Sequence, residues 1–167
     1  IAIEMDYATY NTYLQSVTAA TNYALALMSA SSAIYMKEEN VKLIIPYLRV
    51  WTTPDPYPGT NSNAVLNQFR NEWNANQQSV QRTLVHMISR RSGNMGGIAY
   101  LNTLCSGGSS GYGYGFSNTD GPIQPLPTYS WDVMVVSHEM GHNFGSNHTH
   151  NCGWVGGPID SCYATEG

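Results

Sequence analysis

Apolar positions divide the first half of the chain into alternating strands and helices. Residues 2–8 form a short apolar run that predicts a strand. Residues 10–38 repeat apolar positions at helical spacing, which predicts one long helix. The prolines of residues 53–59 predict a loop, and the β-rich apolar run before them, residues 41–52, predicts a buried strand. The helix positions expected to face the core are Leu14, Val17, Tyr23, Leu27, Ile34 and Tyr35.

The second half continues this alternation. A helix is predicted from a cap at Ser62 or Asn63 to about residue 76. Strands are predicted at residues 83–89 and 97–104, and strands separated by helices indicate an α/β (α+β) fold. Residues 111–116 alternate glycine with aromatic side chains, a pattern that fits either the rim of a cleft or a surface loop. The apolar positions of the helix are Val65, Leu66, Phe69 and Trp73.

The last predicted helix begins after Ser130, which is a favourable N-cap residue, and Asp132 suits the positive end of its dipole. Apolar residues surround nearly the whole circumference of this helix, so it is expected to be buried. Ionisable groups on a buried helix need a partner, and a metal ion can serve as one.

Three histidines on and after this helix have the spacing of a zinc site. His138 and His142 lie four residues apart, so they project from one helical face and can reach a single ion. Gly145 follows where the chain must leave the helix, because glycine tolerates positive φ. His148 can then return as the third ligand. Three neutral imidazoles leave a fourth position open, which is typical of a catalytic zinc.

Glu139 is poorly placed to join these ligands, because it lies about 100° around the helix from His138. It can instead reach a water on the open coordination position and act as general base. The full string of residues 138–148 is a known catalytic pattern. His150 is an alternative third ligand that the spacing disfavours. His86 lies alone in an apolar strand and is expected to be a hydrogen-bonded core residue.

This string resembles the metzincin clan of zinc endopeptidases. Residues 3–7, 43–51 and 97–105 are similar to reprolysin (adamalysin-like) catalytic domains, with the secreted bacterial members the most similar. The resemblance implies a metzincin catalytic domain with a twisted mixed sheet over residues 1–167. Residues 1–145 would form the upper subdomain with the active-site helix, and residues 146–167 would begin an incomplete lower subdomain.

The resemblance also implies functional residues outside the histidine string. Gly97, Ile98 and Ala99 would belong to the edge strand above the cleft, on which substrate adds as an antiparallel strand. An edge strand without a substrate role is the alternative. Reprolysins sometimes carry a calcium site near the N-terminus, for which Glu4 would qualify, although no acidic partner is evident in the middle of the chain.

Two features depart from the metzincin pattern. Thr149 follows His148 where animal reprolysins usually have Asp and astacins Glu, so the subfamily stays open. Metzincins also carry a methionine in a turn beneath the metal, and none of the seven methionines follows His148. Either this family member lacks the methionine turn, or the turn lies beyond Gly167. The odd number of cysteines favours the second alternative.

The three cysteines, Cys105, Cys152 and Cys162, are an odd number for a secreted protein. Cys152 and Cys162 could close a short disulfide loop. Cys105 would then pair with a cysteine beyond Gly167, or it is a free buried thiol.

Composition agrees with a single extracellular domain. Charged residues are only 11% of the chain, and its net charge of −4 argues against nucleic acid as a partner. The apolar stretches are too short to span a membrane. We expect a secreted bacterial zinc endopeptidase, a monomer, that hydrolyses internal bonds of proteins and peptides. The alternative is a non-catalytic extracellular binding domain, which would have little reason to retain Glu139.

Overall fold

Five strands form one sheet in the computed structural model, which describes residues 1–93, 95–104 and 111–166. In chain order the strands are β1 (Ala2–Met5), β2 (Tyr47–Val50), β3 (Val85–Ser89), β4 (Gly97–Ala99) and β5 (Tyr114–Asn118). Across the sheet their order is β2-β1-β3-β5-β4. Pairs β1–β2, β1–β3 and β3–β5 are parallel, and β4 runs antiparallel to β5 at one edge.

Four helices cover the sheet: α1 (Tyr7–Thr12), α2 (Val17–Glu39), α3 (Ser62–Asn76) and α4 (Trp131–Phe144). Side chains alternate between the two faces of each strand. Ile3 and Met5 of β1 therefore pack with α2 and α4, whereas Ala2 packs on the other side with Phe69 and Trp73 of α3. The result is a three-layer arrangement with a mixed sheet in the middle, which confirms the predicted α/β fold class.

The single long helix predicted for residues 10–38 is wrong, because the chain breaks into α1 and α2. Leu14 and Gln15 adopt positive φ angles of 54° and 60°. Ser16 then caps α2 by accepting a hydrogen bond from the backbone N–H of Ala19 (3.2 Å). As a consequence Leu14 is 91% exposed and Val17 46% exposed, although both were expected in the core.

The predicted strands are longer than those observed. Only Tyr47–Val50 of residues 41–52 and only Gly97–Ala99 of residues 97–104 are strand. The third helix was predicted well, with its cap one residue earlier than expected: the Asn61 side chain accepts a hydrogen bond from the Ala64 N–H (2.9 Å).

The aromatic–glycine tract is neither a rim nor a surface loop over its second half, since β5 is a buried interior strand. Tyr114 and Phe116 are almost completely buried on the side of α3. Gly115 faces the opposite side, where a Cβ atom would lie 2.7 Å from Nδ1 of His86. The alternation in β5 therefore has a structural cause. The aromatic side chains pack on the face towards α3, and glycine is required on the opposite face, where His86 leaves no room for a Cβ atom.

Within the described ranges, none of the helices combines the length and the apolar character that crossing a membrane requires.

Candidate metal centre and active-site cleft

The N-terminal end of α4 is anchored by a buried carboxylate. Asp132 accepts hydrogen bonds from the backbone N–H groups of Asp120 (3.0 Å) and Gly121 (3.1 Å) and from the Tyr23 hydroxyl (2.6 Å). It also pairs with Arg90 at 3.1 Å. Ser130 occupies the N-cap position as predicted, but its side chain makes no capping hydrogen bond with the described part of the chain.

The C-terminal end of α4 is closed by a turn and by a neighbouring loop. Gly145 has a φ of 100°, which confirms the predicted turn out of the helix. The carbonyl groups at the end of the helix accept backbone hydrogen bonds from this loop. The carbonyl of His142 accepts from Asn102 (2.8 Å), and the carbonyl of Asn143 accepts from Thr103 (2.8 Å) and Leu104 (3.1 Å). These contacts fix the direction of the helix just where it carries His142.

The chain brings three predicted histidines together on this frame. Nε2 of His142 lies 3.1 Å from Nε2 of His138 and 3.1 Å from Nε2 of His148. One ligand atom from each ring therefore converges on a common point. Desolvation by burial, together with the neighbouring His142 and His148, lowers the pKa of His138 to about 4. At neutral pH this ring is thus the uncharged form that binds metal.

The hydrogen bonds on the far side of two rings define which nitrogen carries the proton. Nδ1 of His142 lies 2.7 Å from the carbonyl oxygen of Ser146, and Nδ1 of His148 lies 2.9 Å from a carboxylate oxygen of Glu166. Both oxygens accept, so each Nδ1 carries the hydrogen and each Nε2 keeps its lone pair.

Lone pairs that face one another across 3.1 Å repel unless a cation lies between them. A tetrahedral zinc ion with Zn–N bonds of about 2.0–2.1 Å would hold its nitrogen ligands roughly 3.3 Å apart. The side chains of His138, His142 and His148 therefore fit zinc both in donor type and in spacing.

Glu139 lies beside this cluster without joining it. Glu139 is 5% exposed, and its Oε2 atom has no hydrogen-bond partner in the described part of the chain. Burial raises the pKa of its carboxyl group to about 8. A buried carboxyl oxygen without a partner is costly, and it is suited to form a hydrogen bond with a molecule that enters the site.

A cleft of about 360 Å³ opens over these groups. All three residues of β4 line it, together with Glu139, His142 and His148. The outer edge of β4 has no strand partner among the described residues. Gly97 touches the Glu139 side chain so closely that a Cβ atom would lie 2.6 Å from Cγ and 2.7 Å from Cδ.

His150 does not join the three-histidine cluster. Its ring stacks behind His148, with centroids 5.1 Å apart, and its Nε2 lies 3.3 Å from Glu166. Glu166 thus contacts two histidines and also lines the cleft. Sequence reasoning missed Glu166, because it follows His148 by eighteen residues and no spacing pattern links the two.

Glu4 is not available as a calcium ligand, which corrects the expectation for this residue. It is completely buried, and its carboxylate accepts hydrogen bonds from Trp51 (2.6 Å), Tyr57 (2.6 Å) and Trp73 (2.7 Å). Burial raises the pKa of Glu4, while these donors and Arg49 oppose the increase. Its oxygens therefore serve the packing of the sheet against α3.

His86 lies on β3, the central strand of the sheet, and is a core residue, as predicted. It is fully buried and its Nε2 lies 2.9 Å from the Ser117 hydroxyl. Cys152 and Cys162 are free, exposed thiols, so the short disulfide loop expected for them is absent. Cys105 lies outside the described residues.

Comparisons with known proteins agree with this geometry. Residues 1–166 match a family model described as Metallo-peptidase family M12 (Reprolysin_5). Metalloproteinase-II from Bacteroides fragilis is similar in structure, with a TM-score of 0.51 and 13% identity over 90% of this chain and 43% of that chain. A chain from a structure described as a chaperone–substrate complex has a TM-score of 0.60 and 13% identity over 92% of this chain and 24% of its own.

At these identities the structural likeness establishes the fold, and this chain spans about a quarter to less than half of the two matched chains. The family model, in contrast, covers nearly every residue. The chain belongs to metallopeptidase family M12.

Proposed function

We propose that this chain is the catalytic part of a secreted zinc endopeptidase that cleaves internal bonds of proteins and peptides. His138, His142 and His148 bind the zinc ion, and Glu139 is the general base. The observation that carries this proposal is the convergence of three Nε2 atoms beside a buried carboxyl oxygen that has no partner among the described residues.

The chemistry divides between the ion and the chain. Bound zinc would supply Lewis acidity, which polarises the scissile carbonyl and acidifies the attacking water. Glu139 takes the proton of that water and then delivers it to the leaving nitrogen as the C–N bond breaks. The burial of Glu139 supports this role, because its Oε2 atom has no partner among the described residues and is left for a water in the cleft.

Substrate lies along β4 in this proposal. The free edge of Gly97, Ile98 and Ala99 offers backbone donors and acceptors to an extended peptide, which would add as a further strand. Proteins and peptides present such segments, whereas the net charge of −4 disfavours nucleic acid. The low content of charged residues supports secretion, and the chain would act as a monomer.

Glu139→Gln tests the proposed role of the carboxyl group. The amide has nearly the same shape and cannot take up the proton, so peptide hydrolysis should fall by at least about 100-fold. Zinc content should stay at the wild-type level, because Glu139 does not bind the ion. Hydrolysis of a quenched fluorescent peptide and elemental analysis of the same sample measure the two quantities.

Glu38→Gln is the matched control, since Glu38 is an exposed acidic residue that pairs with Lys37 away from the cluster. It should leave both quantities unchanged. Near-normal turnover of Glu139→Gln would mean that another group activates the water. A zinc-loaded wild-type protein that cleaves no peptide would favour the binding-domain alternative.

A further inference from the structure

The third histidine of the cluster lacks the support that the first two receive. His138 and His142 are held by the backbone of α4, whereas His148 follows the turn at Gly145 and lies outside any helix. A ligand on such a segment can rotate about its side-chain bonds unless other groups hold its ring.

Glu166 supplies a contact of this kind. One carboxylate oxygen, Oε2, accepts a hydrogen bond from Nδ1 of His148 at 2.9 Å. The other oxygen, Oε1, lies 3.3 Å from Nε2 of His150. The His148 and His150 rings stack nearly parallel, with an angle of 22° between their planes. A single carboxylate therefore contacts two stacked imidazoles.

The backbone holds Glu166 in place for this contact. Asn151 and Glu166 form a parallel β-bridge. The carbonyl oxygen of Glu166 accepts a hydrogen bond from the Cys152 N–H (2.7 Å), and the Glu166 N–H donates to the His150 carbonyl (3.3 Å). The carboxylate is thus tied to the same short segment that carries His148. On the other side, the carbonyl oxygen of His148 accepts a hydrogen bond from the Trp154 indole (2.7 Å).

We propose that Glu166 is a positioning residue for the metal site: it fixes the tautomer and the ring orientation of His148 so that Nε2 points at the ion. This inference rests on the proposed function, because it presumes that His148 binds zinc. Carboxylates that accept from the second nitrogen of a histidine ligand typically change metal affinity by about 10- to 100-fold.

Zinc affinity, measured by competition with a chromogenic chelator, tests the proposal without relying on activity. Glu166→Ala should weaken zinc binding by about 10- to 100-fold. Glu166→Gln keeps an oxygen that can accept from Nδ1 but loses the charge, so it should recover part of the lost affinity. Glu38→Ala is the control, because Glu38 is an exposed carboxylate that pairs with Lys37 and contacts none of the three clustered histidines. It should bind zinc as the wild type does.

A second readout separates positioning from a general structural role. In nitrogen-15 NMR spectra of the metal-free protein, His148 should carry its proton on Nδ1 in the wild type and in Glu166→Gln. In Glu166→Ala it should become a mixture of the two tautomers. Equal zinc affinity of the wild type and both variants, or an unchanged tautomer in Glu166→Ala, would overturn the proposal. Should Glu166→Ala fail to fold, Glu166→Gln decides: zinc affinity equal to wild type with His148 no longer protonated on Nδ1 would also overturn it.

These results are distinct from a failure of the proposed function. If the wild type binds no zinc and cleaves no peptide, the function itself is wrong. If the wild type binds zinc and cleaves peptide while Glu166→Ala does so equally well, the positioning role alone is wrong.

Discussion

The contact between Gly97 and Glu139 links the edge strand to the candidate base. A Cβ atom at residue 97 would lie 2.6 Å from Cγ and 2.7 Å from Cδ of Glu139. Non-bonded carbon atoms do not approach each other this closely in proteins. This contact gives a physical reason for glycine at residue 97, because a side chain there would displace the carboxyl group.

Gly97→Ala should therefore lower kcat of peptide hydrolysis by roughly 10- to 100-fold, since displacing a catalytic group by about 1 Å has effects of that size. Zinc affinity should remain unchanged, because Glu139 is not a ligand. Steady-state kinetics and a zinc titration measure the two effects.

Gly121→Ala provides the control for adding one methyl group. The nearest atom to a Cβ at residue 121 is a carboxylate oxygen of Asp132 at 3.9 Å, an ordinary contact. This variant should keep wild-type kcat. Equal kcat for Gly97→Ala and the wild type would mean that Glu139 adjusts at no cost, and that Gly97 does not set its position.

At the scale of elements, local sequence patterns predicted the helices near the site. They did not predict features that depend on packing between distant parts of the chain. Helix α4 and its glycine turn follow from apolar composition and from Gly145, which are local signals. Strand β5 was missed because the glycines of residues 111–115 are typical of a loop. The close approach of His86 explains only one of them, Gly115. Glu166 was also missed, because its contact with His148 depends on the path of the chain between the two residues.

His86 lies on β3 opposite Gly115 of β5, and it should make the free energy of unfolding sensitive to acid. Burial lowers the pKa of His86 from 6.5 to about 3. Between these two pH values His86 is protonated in the unfolded chain and neutral in the folded protein. Between pH 6.5 and pH 3 the unfolded state binds more protons, and the free energy of unfolding falls as the pH is lowered. The loss should reach at most about 1.4 kcal/mol per pH unit. Above pH 6.5 the contribution of His86 should not change with pH.

Urea unfolding of the metal-free wild type and of His86→Gln, at several pH values from 7.5 to about 4.5, measures this effect. The glutamine cannot titrate, so the pH dependence of the variant should be flatter even if its stability at pH 7.5 is lower. Comparing the two proteins cancels the contributions of other groups, such as His138. Parallel curves would show that His86 is protonated in the folded state or that it never titrates.

At the scale of the whole molecule, the sheet and α4 together build the cleft. The antiparallel strand β4 lies at the sheet edge, and α4 packs against both β4 and β5. Glu139 and His142 of the helix therefore line the cleft along the edge that an extended peptide would occupy. The order of the strands could not be predicted from local patterns, because it depends on pairings between distant residues. The spacing of residues 138–148 was sufficient to predict the cluster, since a helix and one turn define the relative positions of its side chains.

Anomalous X-ray diffraction at the zinc edge, from crystals of the zinc-loaded protein, tests the central claim most directly. The account predicts one ion per chain, bonded to Nε2 of His138, His142 and His148 at about 2.0–2.1 Å. His150 should remain outside the coordination sphere. An ion held instead by His148, His150 and Glu166, which also lie close enough to share one, would contradict both the ligand set and the positioning role of Glu166.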